Sequence, residues 1–243
     1  MRTAQTGVLW RVAATQMWGM FSAIGFEREV SNGSQRAETA LAIVLGELTS
    51  GAPLLRIHSQ CFTGEVLGSL RCDCNDQLEM AMKAIATEGR GLVIYEYQEG
   101  RGIGLMAKLQ AYELQDAGID TVQANHALGF KGDCRDFSLP AAILHDLGIK
   151  RVRLLTNNPR KAVALADAGI EVVARISCEV APTPYSLDYL QTKKEKMGHA
   201  LSLRGNKGDD SSRFGARGSI FRVGDENRAS HAGWRAQGIE AQL

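Results

Sequence analysis

Apolar positions in the first part of the chain predict strands that pair in antiparallel fashion. Met20–Phe26 and Glu38–Leu45 are rich in apolar and partly β-branched residues, and the turn-forming cluster Ser31–Ser34 lies between them. That arrangement favours a β-hairpin. Leu54–His58 is predicted to be a third short strand, which would carry the following residues, through Cys61, to its end.

From Asn75 onward, the pattern alternates between helical and strand periodicity. Asn75 can cap a helix that Gly89 would end. Within that segment, Leu78, Met82 and Ile85 recur at helical spacing. The later predicted elements are strands at Gly91–Tyr95, Arg151–Leu155 and Ile170–Ile176, and helices that reach Ala117, cover Pro140–Leu147 and run from Pro159 to Gly169. The predicted fold class is α/β: a mixed sheet with an antiparallel N-terminal part and strand–helix repeats, with ligands at loops that follow strands.

The two ends of the chain lack this periodicity. Residues 1–13 are expected to form a flexible N-terminus. Residues 200–243 contain Gly, Ser, Asn, Asp and Arg without a sustained pattern and are interpreted as a disordered tail. One short helix is predicted within that tail, near Trp234.

Composition narrows the class of protein. The 243 residues are 44% hydrophobic and 23% charged, as in soluble globular proteins. The formal net charge of +1 gives no field that would favour nucleic acid or an anionic membrane surface. No apolar run approaches the roughly eighteen residues that span a bilayer, and no secretory leader is expected. Five cysteines, an odd number, fit a reducing compartment, so the protein is expected to be cytoplasmic.

Three of these cysteines cluster. Cys61, Cys72 and Cys74 lie within one short stretch, and together they offer three soft ligands. A tetrahedral Zn²⁺ held by three protein ligands keeps one position for water or substrate, as in catalytic zinc sites. The alternative is that these are small buried hydrophobic residues, since free cysteine packs in that way.

Three loops carry candidate chemistry. Gln98–Gly104 follows a strand and opens a helix, so its amides and the Arg101 cation are candidates for phosphate binding, although its glycines equally fit a tight turn. Asp133–Asp136 lies in a long loop, where a surface salt-bridge cluster is the favoured interpretation. Thr156–Lys161 follows a strand and suits an anionic or purine ligand, yet a plain helix cap would look the same.

Seven motifs in order carry a family resemblance. They are Arg56–Cys61, Gly68–Cys74, Gln98–Leu105, Ala124–Phe130, Arg135–Phe137, Leu154–Pro159 and Lys193–His199. Together they resemble GTP cyclohydrolase II over roughly residues 14–199, which would then form one catalytic domain with that family's fold.

The resemblance implies an activity. The family converts GTP to 2,5-diamino-6-ribosylamino-4(3H)-pyrimidinone 5′-phosphate, formate and pyrophosphate, the first step of riboflavin biosynthesis. Cys61, Cys72 and Cys74 match its ligands for one zinc ion per subunit, and Mg²⁺ would accompany the triphosphate. A homodimer is implied, with GTP as substrate and with no nucleic-acid or membrane partner.

The resemblance also implies site residues. Arg135 matches an arginine proposed to attack the α-phosphate, although a purely electrostatic role fits equally well. Asp133 matches a proton acceptor, and Tyr112 a tyrosine that supports the hydrolytic steps. The implied GTP contacts are Arg56, Ile57, His58, Ser59, Gln60, Gln77, Glu99, Gly100, Arg101, Thr121, Thr156 and Lys161. Gln60 departs from the pattern, because many relatives carry Glu there.

Two other classes stay open at this point. A structural zinc module would need a fourth protein ligand and a basic, aromatic face, and aromatic residues make up only 6% of the chain. The second is a different nucleotide-processing enzyme on the same scaffold, which would differ in its products.

Overall fold

A seven-stranded mixed sheet organises the computed structural model, which describes residues 7–16, 18–29 and 37–203. Its order is β1-β2-β3-β5-β4-β6-β7. The first pairs, β1 with β2, β2 with β3 and β3 with β5, are antiparallel, and β5, β4, β6 and β7 are parallel. The strands are β1 Gly7–Gln16, β2 Gly19–Arg28, β3 Glu38–Leu45, β4 Leu54–Ser59, β5 Gly91–Glu96, β6 Arg151–Leu155 and β7 Glu171–Ile176. The predicted α/β class, antiparallel at its start, is confirmed.

Helices connect the parallel strands. They are α1 Phe62–Glu65, α2 Cys74–Glu88, α3 Leu105–Asp116, α4 Thr121–Ala127, α5 Ser138–Asp146, α6 Pro159–Asp167 and α7 Leu187–Met197, and Glu99–Gly102 forms a 3₁₀ turn. Gly89 ends α2 in the left-handed conformation, as its position in the sequence indicates. Sequence periodicity did not predict α1, α4 or α7, because the first two are short and α7 buries only Leu190. Over the described residues, we find no helix with both the length and the apolar character needed to cross a membrane.

The N-terminal part of the chain differs in part from the sequence pattern. Strand β1 lies largely within residues 1–13, for which a flexible N-terminus was expected, and antiparallel pairing with β2 supplies its backbone hydrogen bonds. Residues 1–6, the predicted hairpin turn at 31–34, and residues 204–243 with the predicted helix near Trp234 lie outside the described residues.

Strand β4 places the site because its side chains alternate between two faces of the sheet. Leu55 and Ile57 lie in the core that α5 and α6 cover. Leu54 packs in the core on the α2 side, and Arg56, two residues on, lies on that face with it. Because β4 and β6 are parallel, their carboxyl ends open at the same edge of the sheet.

Candidate active site

Three thiols converge at the start of α1 and α2. Cys61 precedes α1, Cys74 begins α2, and Cys72 lies in the connecting loop. Their sulfur atoms all lie within 4.8 Å of one another, and the Sγ atoms of Cys61 and Cys72 are 3.6 Å apart. A Cβ atom added at Gly64 would lie 3.1 Å from Cys72 Sγ and 3.2 Å from Cys61 Sγ, so only glycine leaves the thiols this room. Three free, convergent soft donors fit a zinc ion.

A buried cation adjoins these thiols. Lys108 Nζ donates to Cys61 Sγ over 3.2 Å and to Glu99 Oε1 over 2.7 Å. Hydrogen bonds from Cys72 and Cys74, together with the Lys108 charge, hold the pKa of the Cys61 thiol well below its usual range. A lowered pKa favours the thiolate form of Cys61, the form that binds a metal.

Arg56 and His58 lie side by side on β4. Arg56 donates to Gln77 Oε1 over 2.6 Å and to the Leu155 carbonyl over 3.1 Å. His58 Nε2 lies 2.9 Å from Glu65 Oε1, and the same oxygen accepts from the Cys61 backbone N–H. The Glu65 carboxylate thus joins the histidine to the first candidate zinc ligand.

Burial lowers the pKa of His58 from 6.5 to about 4. Below pH 6.5 the unfolded chain binds a proton that the folded chain does not, so the His58 contribution to stability is present above pH 6.5 and lost as pH falls toward 4. At about 1.36 kcal/mol per pKa unit, the contribution is roughly 3 kcal/mol. We expect urea unfolding of His58→Gln to show a loss of stability between pH 7 and pH 4 that is smaller than the wild-type loss by about this amount. His126 is exposed, so His126→Gln should lose as much stability as the wild type over the same pH range. Equal losses in all three proteins would contradict the assignment of this pH dependence to His58.

Asp133 and Arg135 form a partly buried ion pair. Arg135 donates through Nε to Asp133 Oδ1 over 2.9 Å and through Nη2 to Oδ2 over 2.8 Å, and Arg160 reaches Oδ2 over 2.8 Å. The loop therefore does form the salt-bridge cluster favoured from the sequence, but the side chains of Asp133 and Arg135 are only 8% and 12% exposed, so their pair does not lie on the surface as expected. Burial raises the pKa of Asp133, but the hydrogen bonds from Arg135 and its charge hold it below its ordinary value.

The glycine-rich loop is both a tight turn and a source of donors. Gly100 and Arg101 adopt left-handed backbone conformations, with φ of 62° and 63°. A Cβ atom at Gly102 would lie 3.0 Å from the Cys134 main chain, so this loop closes against the Asp133–Asp136 loop. Arg101 is buried, and both of its terminal nitrogens have no hydrogen-bond partner among the described residues.

Two adjoining cavities, open to solvent and of about 640 Å³ and 550 Å³, form one cleft along this edge. Candidate residues that line both are Ser59, Cys74, Arg101 and Arg135. Those on the thiol side alone are Gln60, Cys61, Cys72, Glu99, Gly100, Tyr112 and Thr121. Those on the other side alone are Arg56, His58, Gln77, Thr156 and Lys161.

Two candidates lie behind the cleft wall. Ile57 is fully buried in the core, and its carbonyl accepts from Lys161 Nζ over 2.8 Å. Asp133 lines neither cavity and contacts Arg135 instead. Both reach the cleft only through a neighbouring side chain.

Several side chains that line the second cavity carry buried donors with no hydrogen-bond partner among the described residues. These donors are Arg56 Nε, the two terminal nitrogens of Arg101, and the side-chain nitrogens of Asn157 and Asn158. Burying a donor without a partner costs about 1–3 kcal/mol. A ligand rich in acceptor oxygens would offset that cost at those of these atoms that it reached.

Sequence comparison decides the family. A sequence model described as GTP cyclohydrolase II matches residues 10–177. The chain belongs to the GTP cyclohydrolase II family. A GTP cyclohydrolase-2 of Buchnera aphidicola subsp. Acyrthosiphon pisum is 54% identical over 186 residues, which cover 76% of this chain and 93% of that protein. One from Escherichia coli O9:H4 is 50% identical, over 79% of this chain and 97% of that protein. The riboflavin biosynthesis protein RibBA of Chlorobium phaeovibrioides is 51% identical over 70% of this chain and 42% of its own length.

Several cleft residues of this family member carried no predicted role. Three of them are Lys108, Tyr189 and Lys193. Lys193 Nζ donates over 2.7 Å to Oδ1 of Asp73, the residue between Cys72 and Cys74 in the sequence. His199 lines the second cavity, and its Nδ1 has no hydrogen-bond partner within the part of the chain that the structure describes. Lys193 and His199 delimit one of the seven motifs, which was the available signal. Lys108 had no such signal in the sequence, since a single lysine in a helix is ordinarily interpreted as solvent-exposed.

Proposed function

We propose that this chain hydrolyses GTP to 2,5-diamino-6-ribosylamino-4(3H)-pyrimidinone 5′-phosphate, formate and pyrophosphate, the first step of riboflavin biosynthesis. One observation carries the proposal: the convergent thiols, and side chains whose buried donors have no partner among the described residues, line adjoining parts of one cleft. Hydrolysis at guanine next to a polyphosphate needs both a metal centre and anion-binding donors. Membership of the GTP cyclohydrolase II family supports the same substrate.

Cys61, Cys72 and Cys74 would hold one zinc ion per subunit. When bound there, the ion would supply a Lewis acid able to activate water for attack at guanine C8. Three water molecules are consumed. One opens the C8–N9 bond to give a formamide on N7, one releases C8 as formate, and one takes part in cleavage between the α- and β-phosphates.

We assign the phosphate end of GTP to the basic part of the cleft. Arg101 and Arg135 line both cavities, and Lys161 and Arg56 line the second. Guanidinium groups bind phosphate oxygens through paired N–H donors, which suits a triphosphate with Mg²⁺ bound to it. Thr156 at the end of β6, with Asn158 capping α6, adds donors at a helix N-terminus.

Arg135 acts in this proposal as a fixed cation rather than as a nucleophile. Burial lowers the pKa of Arg135, but its two hydrogen bonds to Asp133 and their mutual charge raise it above the ordinary value. A permanently protonated guanidinium has no lone pair for attack at phosphorus, whereas it stabilises charge that develops there. Asp133, held ionised, orients Arg135.

Tyr112 is proposed to donate a hydrogen bond during hydrolysis at the purine. Its hydroxyl lies 3.3 Å from Thr63 Oγ1, which in turn lies 3.7 Å from Cys61 Sγ. Burial raises the pKa of Tyr112, so the hydroxyl keeps its proton at neutral pH. Gln60, beside Cys61, and Glu99 on the thiol side complete the part of the cleft that we assign to the base.

We also propose that residues 14–199 form the catalytic domain of a cytoplasmic homodimer. Exposed apolar side chains on α3 and on the loop after α1 support self-association, namely Met106, Leu109, Val66, Leu67 and Leu70. Light scattering of the purified full-length chain should give twice the mass of the 26.3 kDa monomer.

The test is product analysis. The zinc-loaded protein, incubated with GTP and Mg²⁺, should yield the diaminopyrimidine phosphate, formate and pyrophosphate, followed by absorbance and mass. A formamide end product would support the metal site but would exclude the second hydrolytic step. Unaltered GTP, or pyrophosphate release with an intact purine, would contradict the proposal.

A further inference from the structure

The Lys108 ammonium is a buried charge between the candidate zinc ligands and the glycine-rich loop. Its side chain is 11% exposed. It lies 3.2 Å from Cys61 Sγ and 2.7 Å from Glu99 Oε1. Lys108 and Ala111 are the buried residues of α3, so the inward face of this helix presents a cation where an apolar residue would be usual.

The surroundings of Lys108 hold it in place. A Cβ atom at Gly100 would lie 3.1 Å from Lys108 Cβ, so the turn closes directly over the lysine stem. On the next turn of α3, the centre of the Tyr112 ring lies 5.7 Å from the ammonium. These contacts therefore hold Lys108 Nζ beside Cys61 Sγ.

Pairing with Glu99 does not by itself account for this cation. The Glu99 carboxylate also accepts the backbone N–H of Phe62 over 2.6 Å and that of Gly100 over 2.9 Å. Two backbone donors already compensate for part of its burial. The lysine, with three N–H donors, has one to give to Cys61.

The charge and the position of Lys108 suit a site of three thiolates. Three thiolates around a divalent cation leave a net negative charge in a partly buried place. They also donate electron density strongly, which weakens the metal as a Lewis acid. An N–H donor to one thiolate withdraws some of that density, and the ammonium charge offsets the excess.

We propose that Lys108 is a positioning residue that acts through Cys61. Its ammonium bonds to the ligating thiolate, offsets part of the negative charge of the site and so strengthens both zinc retention and the activation of water. This inference rests on the proposed zinc site and deepens it.

The experiment compares Lys108→Met with Lys108→Arg in the full-length chain. Loss of a partner that orients a metal ligand costs about 10–100-fold in metal affinity or activity. Competition with a chromophoric chelator should therefore show zinc affinity weaker by about that factor in Lys108→Met, with most of it restored in Lys108→Arg. With Co²⁺ as the metal, the sulfur-to-cobalt charge-transfer band should move to longer wavelength in Lys108→Met, because the sulfur has lost its hydrogen bond. The kcat for GTP should fall while KM changes little.

Two further variants separate this role from a structural one. Lys83→Met removes an exposed lysine of α2 and should leave affinity and spectrum unchanged. If Lys108→Met alone does not fold, the double variant Glu99→Gln with Lys108→Met removes both partners of the ion pair. It should still show weakened zinc binding. Wild-type affinity and spectrum in either folded Lys108→Met protein would overturn the inference and leave the proposed function intact. Failure of the wild-type chain to bind zinc at all would overturn both.

Discussion

Replacing Cys72 with serine is expected to abolish zinc retention and to lower kcat/KM for GTP by more than about 100-fold. The loss should exceed the about 10–100-fold typical of an outer partner, because a ligand itself is removed. Cys72 Sγ lies 3.6 Å from Cys61 Sγ, and the serine hydroxyl is a harder, more weakly binding donor that reaches less far into the cluster. Metal content by mass spectrometry and steady-state kinetics measure the two effects.

Cys134→Ser is the matched control. Cys134 is an exposed free thiol outside the cluster, in the loop that holds Asp133 and Arg135. Its replacement should leave zinc content and kcat/KM at wild-type values. Full activity of Cys72→Ser without zinc, or equal loss in both variants, would contradict a metal centre at the three thiols.

Replacing Arg135 with alanine is expected to lower kcat by about 10³-fold, the lower end of what a single transition-state arginine contributes to phosphoryl transfer. The physical reason is that Arg135 lies between both parts of the cleft, with its direction set by two hydrogen bonds to Asp133. Arg135→Lys should recover only a small part of the rate, since an ammonium is a point charge that cannot reproduce the paired geometry. Stopped assays that follow pyrophosphate and formate separately will show which step is lost.

Arg151→Ala serves as the control for this variant. Arg151 also forms a paired contact with a carboxylate, Glu171, but that pair is exposed at the start of β6, away from the cleft. It should keep wild-type kinetics. A rate for Arg135→Ala within about tenfold of wild type, in a protein that unfolds at the wild-type temperature, would remove Arg135 from the catalytic step.

Much of the fold follows from local patterns. The apolar runs of β2 to β7 and the glycine at the end of α2 coincide with the observed elements, because buried strands and helix ends have strong local signatures. Helix α7 has no such signature, since its sequence is rich in lysine and only Leu190 is buried. Its place is decided by long-range contacts, among them Lys193 with Asp73, which are 120 residues apart.

By itself, the sequence determined the fold class, the three-cysteine cluster and the family, because ligand spacing and ordered motifs are local properties of a chain. Only the tertiary structure decided that Asp133 is a partly buried partner of Arg135 rather than a surface charge, that Ile57 faces the core, and that Lys108 reaches Cys61. Burial and the charges brought in by distant elements set the electrostatics of each group, and neither quantity is encoded at any one position.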